Sequence, residues 1–115
     1  MTLSFWVKAT KIGIYCAGFT NAGNDRSFVA EYTVNASDTW EYKTVNISAS
    51  VSTGTWNYTN GVGLNLIFTL ACGTARQGAA GTWLTGQFEA TANQVNACDS
   101  ISNNFRVCGV QLEIG

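Results

Sequence analysis

Residues 26–34 read RSFVAEYTV, and this stretch decides the fold class. Apolar side chains occupy alternate positions from Phe28 to Val34, with mostly polar ones between them. A period of two is typical of a β-strand that buries one face. Turn residues bound the stretch on both sides, as NAGND at 21–25 and NASD at 35–38. The stretch therefore predicts a half-buried strand enclosed by two turns.

The same patterning continues through most of the chain, and no stretch keeps the helical period of 3.6. In the first strand Leu3, Phe5 and Val7 share one face, and Trp6 lies on the other. Five further segments show the pattern: 2–9, 12–20, 40–49, 62–72 and 105–114. Short strands separated by turns are typical of a sandwich. We therefore predict one all-β domain over residues 1–115, a jelly-roll-like antiparallel β-sandwich.

Two segments carry more specific expectations. Segment 62–72, VGLNLIFTLAC, is the most apolar run and predicts a central strand. The connection at about 73–103 is rich in Ala, Gly, Gln, Asn and Thr, and it is too long to be idle in a compact domain. This long loop, which has room for a short seventh strand, either packs on a small core of its own or carries the function.

The composition excludes several classes of function. The chain has no histidine, a net charge of −1 and only 11% charged residues. Its six basic residues are scattered, which argues against nucleic acid, and no apolar run reaches the 18 residues of a membrane span, which argues against membrane insertion. Without histidine the commonest general base is missing, and nothing nominates a catalytic pair among the carboxylates. We therefore predict a protein that is not an enzyme and uses no cofactor or metal.

The four cysteines leave two interpretations open. Their positions are Cys16, Cys72, Cys98 and Cys108, which permit three disulfide pairings. No zinc spacing is present, because there is no CxxC pair and no histidine. A secreted protein would form two disulfides, whereas a protein assembled in a reducing cytoplasm would keep free thiols.

Aromatic and amide side chains in loops favour a glycan site, because sugars stack their C–H faces on rings and bond through their hydroxyls. Trp83 in the long loop is the predicted stacking platform. Nearby hydrogen-bonding candidates in the same loop are Gln87, Asn93, Gln94 and Asn96. Trp56 and Tyr58, in the Gly- and Asn-rich segment 52–61, form a second candidate patch. The aromatic residues expected to be structural are Trp6, Tyr32 and Trp40.

Four segments in order carry a family resemblance: TLSFWVKAT at 2–10, DRSFVAEYTV at 25–34, DTWEYKTVNI at 38–47 and FRVCGVQLEIG at 105–115. Together they resemble the carbohydrate-binding-module-like jelly-roll domains of bacteriophage tail fibre and minor structural proteins. The Trp-led third segment also resembles a strand of cellulose- and xylan-binding jelly rolls. Domains of the phage family often end on a strand close to GVQLEVG. They usually begin with a strand or two before the first segment, so the absence of N-terminal strands stays open.

The resemblance implies a virion protein, assembled in the host cytoplasm, whose role is recognition of a host-surface glycan. The alternative is a structural or oligomerisation domain with no ligand of its own. In that alternative the long loop and an exposed sheet edge contact other virion proteins or further copies of the chain, most simply as a trimer.

The resemblance also makes the terminal strand an internal member of a sheet, with Gly115 as the domain boundary. Glu113 would then share a polar face with Gln111 and Gly109. The residues expected to pack inward are Cys108, Val110, Leu112 and Ile114.

Overall fold

The computed structural model of the protein describes residues 1–114, and within them it contains seven β-strands and one turn of 3-10 helix at Thr74–Arg76. The strands are β1 (Thr2–Ala9), β2 (Gly13–Asn21), β3 (Arg26–Val34), β4 (Glu41–Asn46), β5 (Leu64–Thr69), β6 (Trp83–Thr85) and β7 (Phe105–Glu113). The prediction of six strands with a short seventh in the long loop is confirmed.

The strands form two antiparallel sheets that pack face to face. The three-stranded sheet has the order β4-β1-β7, and the four-stranded sheet has the order β5-β2-β3-β6. Because the chain passes from one sheet to the other after β1, β3, β4 and β6, the two layers are tied together by the chain itself. The all-β sandwich predicted from the alternation is confirmed.

The main core lies between the sheets and follows the predicted period of two. Phe5 of the three-stranded sheet is fully buried, and its ring centroid lies 5.0 Å from that of Tyr32 and 5.1 Å from that of Phe68 in the four-stranded sheet. The buried members of this core are Leu3, Phe5, Val7, Ala9, Tyr15, Ala17, Phe19, Phe28, Ala30, Tyr32, Val34, Val45 and Ile47. Packing of this kind fixes the register of each strand, since a shift by one residue would expose its apolar face.

The long loop packs on a second, smaller core on the outer face of the four-stranded sheet. Ala90 of the loop is fully buried against Cys16 of β2 and Val29 of β3, and Phe88 packs beside them. The long loop passes close to β2, because a Cβ at Gly18 would lie 3.4 Å from the carbonyl oxygen of Glu89. One of the two expectations for this loop, a small core of its own, is therefore realised.

The terminal strand corrects one prediction: β7 is an edge strand, paired only with β1 within residues 1–114. Gly109 has a φ of +59° at a bulge, where the pairing register shifts between Ser4 and Trp6. Positive φ suits glycine, and an extra residue at a bulge changes the face on which later side chains lie. Phe105 and Val107 pack on the core, but the alternation does not continue unchanged beyond Gly109.

The predicted inward packing of β7 is wrong in burial at all four residues and wrong in face at Cys108. Cys108 lies opposite Trp6 on the outer face and is exposed. Leu112 faces the inner side as predicted, opposite Leu3, yet it is 43% exposed, Val110 is 45% exposed and Ile114 is 98% exposed. Gln111 and Glu113 share the outer face as predicted, and the Gln111 amide donates to the Glu113 carboxylate. The predicted boundary at Gly115 lies outside the described residues.

The apolar segment 62–72 is also not central. Its strand, β5, forms one edge of the four-stranded sheet and pairs with β2 alone. Leu64, Leu66 and Phe68 pack on the main core but are only partly buried. The apolar character of the segment reflects its packing on one margin of the main core, through Leu64, Leu66, Phe68 and Leu70.

Candidate functional site

An aromatic cleft of about 280 Å³ lies at one end of the sandwich. It brings together both aromatic patches predicted from the sequence, since Trp56, Tyr58 and Trp83 all line it. The Trp56 and Trp83 rings meet edge to face, with centroids 5.6 Å apart. The remaining lining residues of this aromatic cleft are Met1, Ser50, Asn57, Gly63 and Leu64.

Trp83 is positioned by the four-stranded sheet. It lies opposite Phe28 in the pairing of β6 with β3, and the two ring centroids are 5.6 Å apart. Its indole N–H donates to the carbonyl oxygen of Ser48 at 3.1 Å. Because its nitrogen already has a partner and part of its ring packs on the core, Trp83 contributes to the fold as well as to the cleft wall.

Trp56 is positioned by the turn between β2 and β3. The carboxylate of Asp25 in that turn accepts bonds from the Thr55 amide at 3.0 Å and from the Thr55 hydroxyl at 3.0 Å. The turn returns a bond from the Gly23 amide to the Thr55 carbonyl oxygen, also at 3.0 Å. One residue further on, the Trp56 indole N–H donates to the Thr53 carbonyl oxygen at 2.9 Å.

Asp25 is held as a carboxylate by these bonds. Its pKa is lowered to about 2, first by the hydrogen bond from the Asn21 side chain and then by the bonds from Thr55. Asn21 is fully buried, and its side-chain oxygen accepts the amides of Asp25 and Arg26. This network joins the turn to the segment that carries Trp56, so that the position of the ring depends on residues distant in sequence.

Tyr58 and Asn57 provide the exposed side of the cleft. Tyr58 is 82% exposed, and its ring makes no aromatic contact with another side chain within residues 1–114. The side-chain oxygen of Asn57 accepts both the amide and the hydroxyl of Thr59 at 2.9 Å. Its amide NH₂ therefore remains free of partners in the described part of the chain and is a donor that a ligand can use.

The four loop amides predicted around Trp83 do not line the aromatic cleft. Gln94 is fully engaged, because its oxygen accepts the Cys16 amide at 2.7 Å and its nitrogen donates to the Thr69 and Val95 carbonyl oxygens. Its polar groups hold the loop against β2. A larger cavity of about 370 Å³ lies beside it, lined by Ala71, Cys72, Gly73, Gln94, Val95 and Asn96.

The other three amides also bond within the protein. Gln87 bonds to Arg76 and to Glu89, and Asn93 donates to the carboxylate of Glu31 at 3.0 Å. Asn96 accepts the Cys98 amide at 3.0 Å. Polar side chains stabilise irregular loops through such bonds, and the sequence alone does not distinguish this role from ligand binding.

The outer face of the three-stranded sheet carries aromatic residues that the sequence reasoning assigned to the core. Trp6 is 44% exposed, and its ring lies 5.3 Å from that of Tyr42, its cross-strand neighbour. Trp40, just before β4, is similarly exposed, whereas Tyr32 is buried as predicted. The sequence does carry a signal for this exposure, because alternation places Trp6 on the opposite face of β1 from Leu3, Phe5 and Val7.

The described residues hold neither a metal-binding group nor a membrane-spanning helix. Residues 1–114 contain no group of three or more His, Cys, Asp or Glu side chains placed to hold a metal ion. All four thiols are free; Cys16 is buried, and burial raises its pKa. Nor does this part of the chain include a helix with the length and hydropathy needed to cross a membrane.

Comparisons with protein-family models, curated proteins and solved structures yield no match to this chain.

Proposed function

We propose that the chain is a non-catalytic recognition module of a virion, of the phage tail-fibre type, that binds a host-surface glycan in the aromatic cleft. The observation that carries the proposal is the convergence of Trp56 and Tyr58 with Trp83, which is distant from them in sequence. The resemblance of the four sequence segments to phage jelly-roll domains supplies the virion context.

The geometry suits a sugar for a simple reason. Both indole N–H groups are bonded to backbone carbonyls, so Trp56 and Trp83 offer ring surface rather than polar edges. Sugar C–H faces pack on such surfaces, and the free amide of Asn57 and the hydroxyl of Ser50 can bond sugar hydroxyls. The volume lies at the lower end for small-molecule sites, which fits one terminal sugar better than a long chain.

The test is glycan-array binding of the purified domain, with Tyr58→Ala as the diagnostic variant. Because Tyr58 is 82% exposed, its removal should leave the free energy of unfolding unchanged while lowering affinity roughly tenfold, the effect of losing one stacking ring. Tyr42→Ala, another exposed tyrosine but on the outer face of the three-stranded sheet, is the matched control.

The affinities of these two variants distinguish the aromatic cleft from the outer sheet face as the binding site. Affinity lost with Tyr58→Ala and kept with Tyr42→Ala supports the cleft. The reverse pattern would place the site on the outer sheet face and contradict the assignment. Trp83→Ala is a poorer test, because Trp83 packs on Phe28 and its loss would also destabilise the fold.

The second candidate function is a structural or oligomerisation domain, with the long loop and an exposed edge contacting other virion proteins or copies of the chain as a trimer. The observation that favours it is the unpaired edge of β7, with Val110 and Leu112 nearly half exposed. A molar mass three times that of the chain in light scattering, lost when residues 74–97 are deleted, is the result expected for this candidate. A monomer that binds sugar would contradict it.

A further inference from the structure

We infer that the free edge of β7 pairs antiparallel with β7 of a second copy of this chain, about a twofold axis between Gly109 and Val110. This inference does not depend on glycan binding. It shares the β7 edge with the second candidate function, but it specifies a dimer and a register in place of a loop-mediated trimer.

The edge is unusually unprotected for a soluble protein. β7 is nine residues long and pairs only with β1 in residues 1–114, so one row of its backbone N–H and C=O groups has no partner strand. Natural edges of this length are normally shortened, charged or covered. The other edge of the same sheet, β4, is shorter and carries the ion pair between Glu41 and Lys43.

Exposed apolar side chains mark the same edge. Leu112 lies on the inner side of β7, opposite Leu3, and alternation from Leu112 places Val110 on the same side. Val110 is nevertheless 45% exposed and Leu112 43% exposed. Phe105 and Val107, earlier in the strand, pack on the main core. A neighbouring strand on this edge would extend that apolar layer and remove the exposed part from water.

Charge points to a second copy as the neighbour. Arg106 lies directly opposite Lys8 on the outer face, an unfavourable pairing of like charges, and has no carboxylate partner in the described part of the chain. Glu113, near the other end of the same strand, also has no cationic partner there. An antiparallel copy brings each of these two residues opposite the other, once at each end of the interface.

The register follows from the faces of the strand. Opposite residues of an antiparallel pair lie on the same face, and the bulge at Gly109 leaves two registers that satisfy this condition. Only one of them places Arg106 opposite Glu113 of the second copy. In it Val107 faces Leu112 on the inner side and Cys108 faces Gln111 on the outer side. A bulge usually discourages edge pairing, but in this register the two bulges lie opposite each other at the axis and leave the regular parts of both strands paired.

A charge-reversal series measured by sedimentation tests the register. The full chain should form a dimer at high concentration, and Arg106→Glu or Glu113→Arg should each weaken it at least about tenfold, because two attractive pairs become repulsive. The double variant should restore wild-type dimerisation, since the charges are merely exchanged. Arg106 and Glu113 of both copies are exposed on the outer face, so the substitutions should leave the free energy of unfolding unchanged.

Disulfide trapping gives an independent measurement. In a Cys98→Ser background, Gln111→Cys should produce a cross-linked dimer under mild oxidation, through Cys108 of the second copy. The background alone should not cross-link, because the two Cys108 residues are three positions out of register. Monomers at every concentration, a trimer, cross-linking through Cys108 alone, or a dimer indifferent to charge reversal would each overturn the inference. None of these results depends on whether the aromatic cleft binds sugar.

Discussion

Gly54 lies in the segment that carries Trp56, and replacing it with alanine should loosen that segment. The backbone at Gly54 has a φ of +98°, a conformation that residues with a Cβ adopt at a cost. An added Cβ would lie 2.6 Å from Cγ of Arg26, 2.9 Å from an oxygen of Asp25 and 3.1 Å from the amide nitrogen of Asn21. Arg26 donates to Thr53, Asp25 accepts from Thr55, and Asn21 donates to Asp25.

Three contributions set the change in the free energy of unfolding caused by Gly54→Ala. The positive φ costs a residue with a Cβ about 1–2 kcal/mol, and forcing a methyl group into occupied space costs about 1–3 kcal/mol. Alanine also restricts the unfolded chain, which offsets about 0.4–1 kcal/mol. We therefore expect Gly54→Ala to lower the free energy of unfolding by about 1–4.6 kcal/mol. For a domain of this size that corresponds to a Tm lower by about 4–18 °C.

Alanine substitutions at two other glycines distinguish the cost of the positive φ from the cost of the steric clash. Gly81 also has a positive φ, +84°, but a Cβ there would meet no atom within 4 Å, so Gly81→Ala should cost only about 0.5–1 kcal/mol. Gly73 has an ordinary φ of −77° and equally open space, so Gly73→Ala should be neutral or slightly stabilising. Urea denaturation followed by tryptophan fluorescence measures all three. Equal losses at Gly54 and Gly81 would refute the argument that the Asp25 network fills the space beside Gly54.

Two further predictions concern the core and the carboxylates. Phe5→Ala removes a fully buried ring between the sheets and should lower the free energy of unfolding by about 3–5 kcal/mol in urea denaturation; a loss below about 1 kcal/mol would contradict its central position. Hydrogen bonds from Asn21 and Thr55 lower the pKa of Asp25 from 3.8 to about 2. Burial alone would raise the pKa of Glu41, but hydrogen bonds from Asn35 and Lys43 outweigh it and lower that pKa from 4.5 to about 2. Both groups therefore stabilise the fold fully above pH 4.5, and Tm should fall as pH drops from there towards 2; Asp25→Asn with Glu41→Gln should flatten this fall, and an unchanged profile would contradict it.

Much of the fold could be predicted from the sequence because it is local. Alternation in segments such as 2–9 and 26–34 identifies the strands and their buried faces, since side chains of a strand alternate between two sides. Turn residues identify where strands end. The inward placement of Leu3, Phe5 and Val7 required nothing else.

The bulge at Gly109 shows where local reasoning fails. A glycine within an alternating strand has no apolar or polar signature, so the local expectation is one uniform phase from Cys108 to Ile114. That phase fits Gln111, Leu112 and Glu113 but puts Cys108 on the wrong face. The phase changes there only because β1 lies alongside and sets the pairing. Whether β7 lies inside a sheet or at its edge likewise depends on how the strands are ordered in space.

The candidate site divides in the same way. The sequence is enough to predict a histidine-free, weakly charged all-β chain whose loops carry Trp56, Tyr58 and Trp83. It does not show that these three rings meet in one cleft, or that Gln94 and Asn93 bond the long loop to the sheet. The physical reason is that strand faces follow from the geometry of neighbouring residues, whereas loop side chains are placed by hydrogen bonds between residues far apart in the chain, such as those of Asp25 with Thr55.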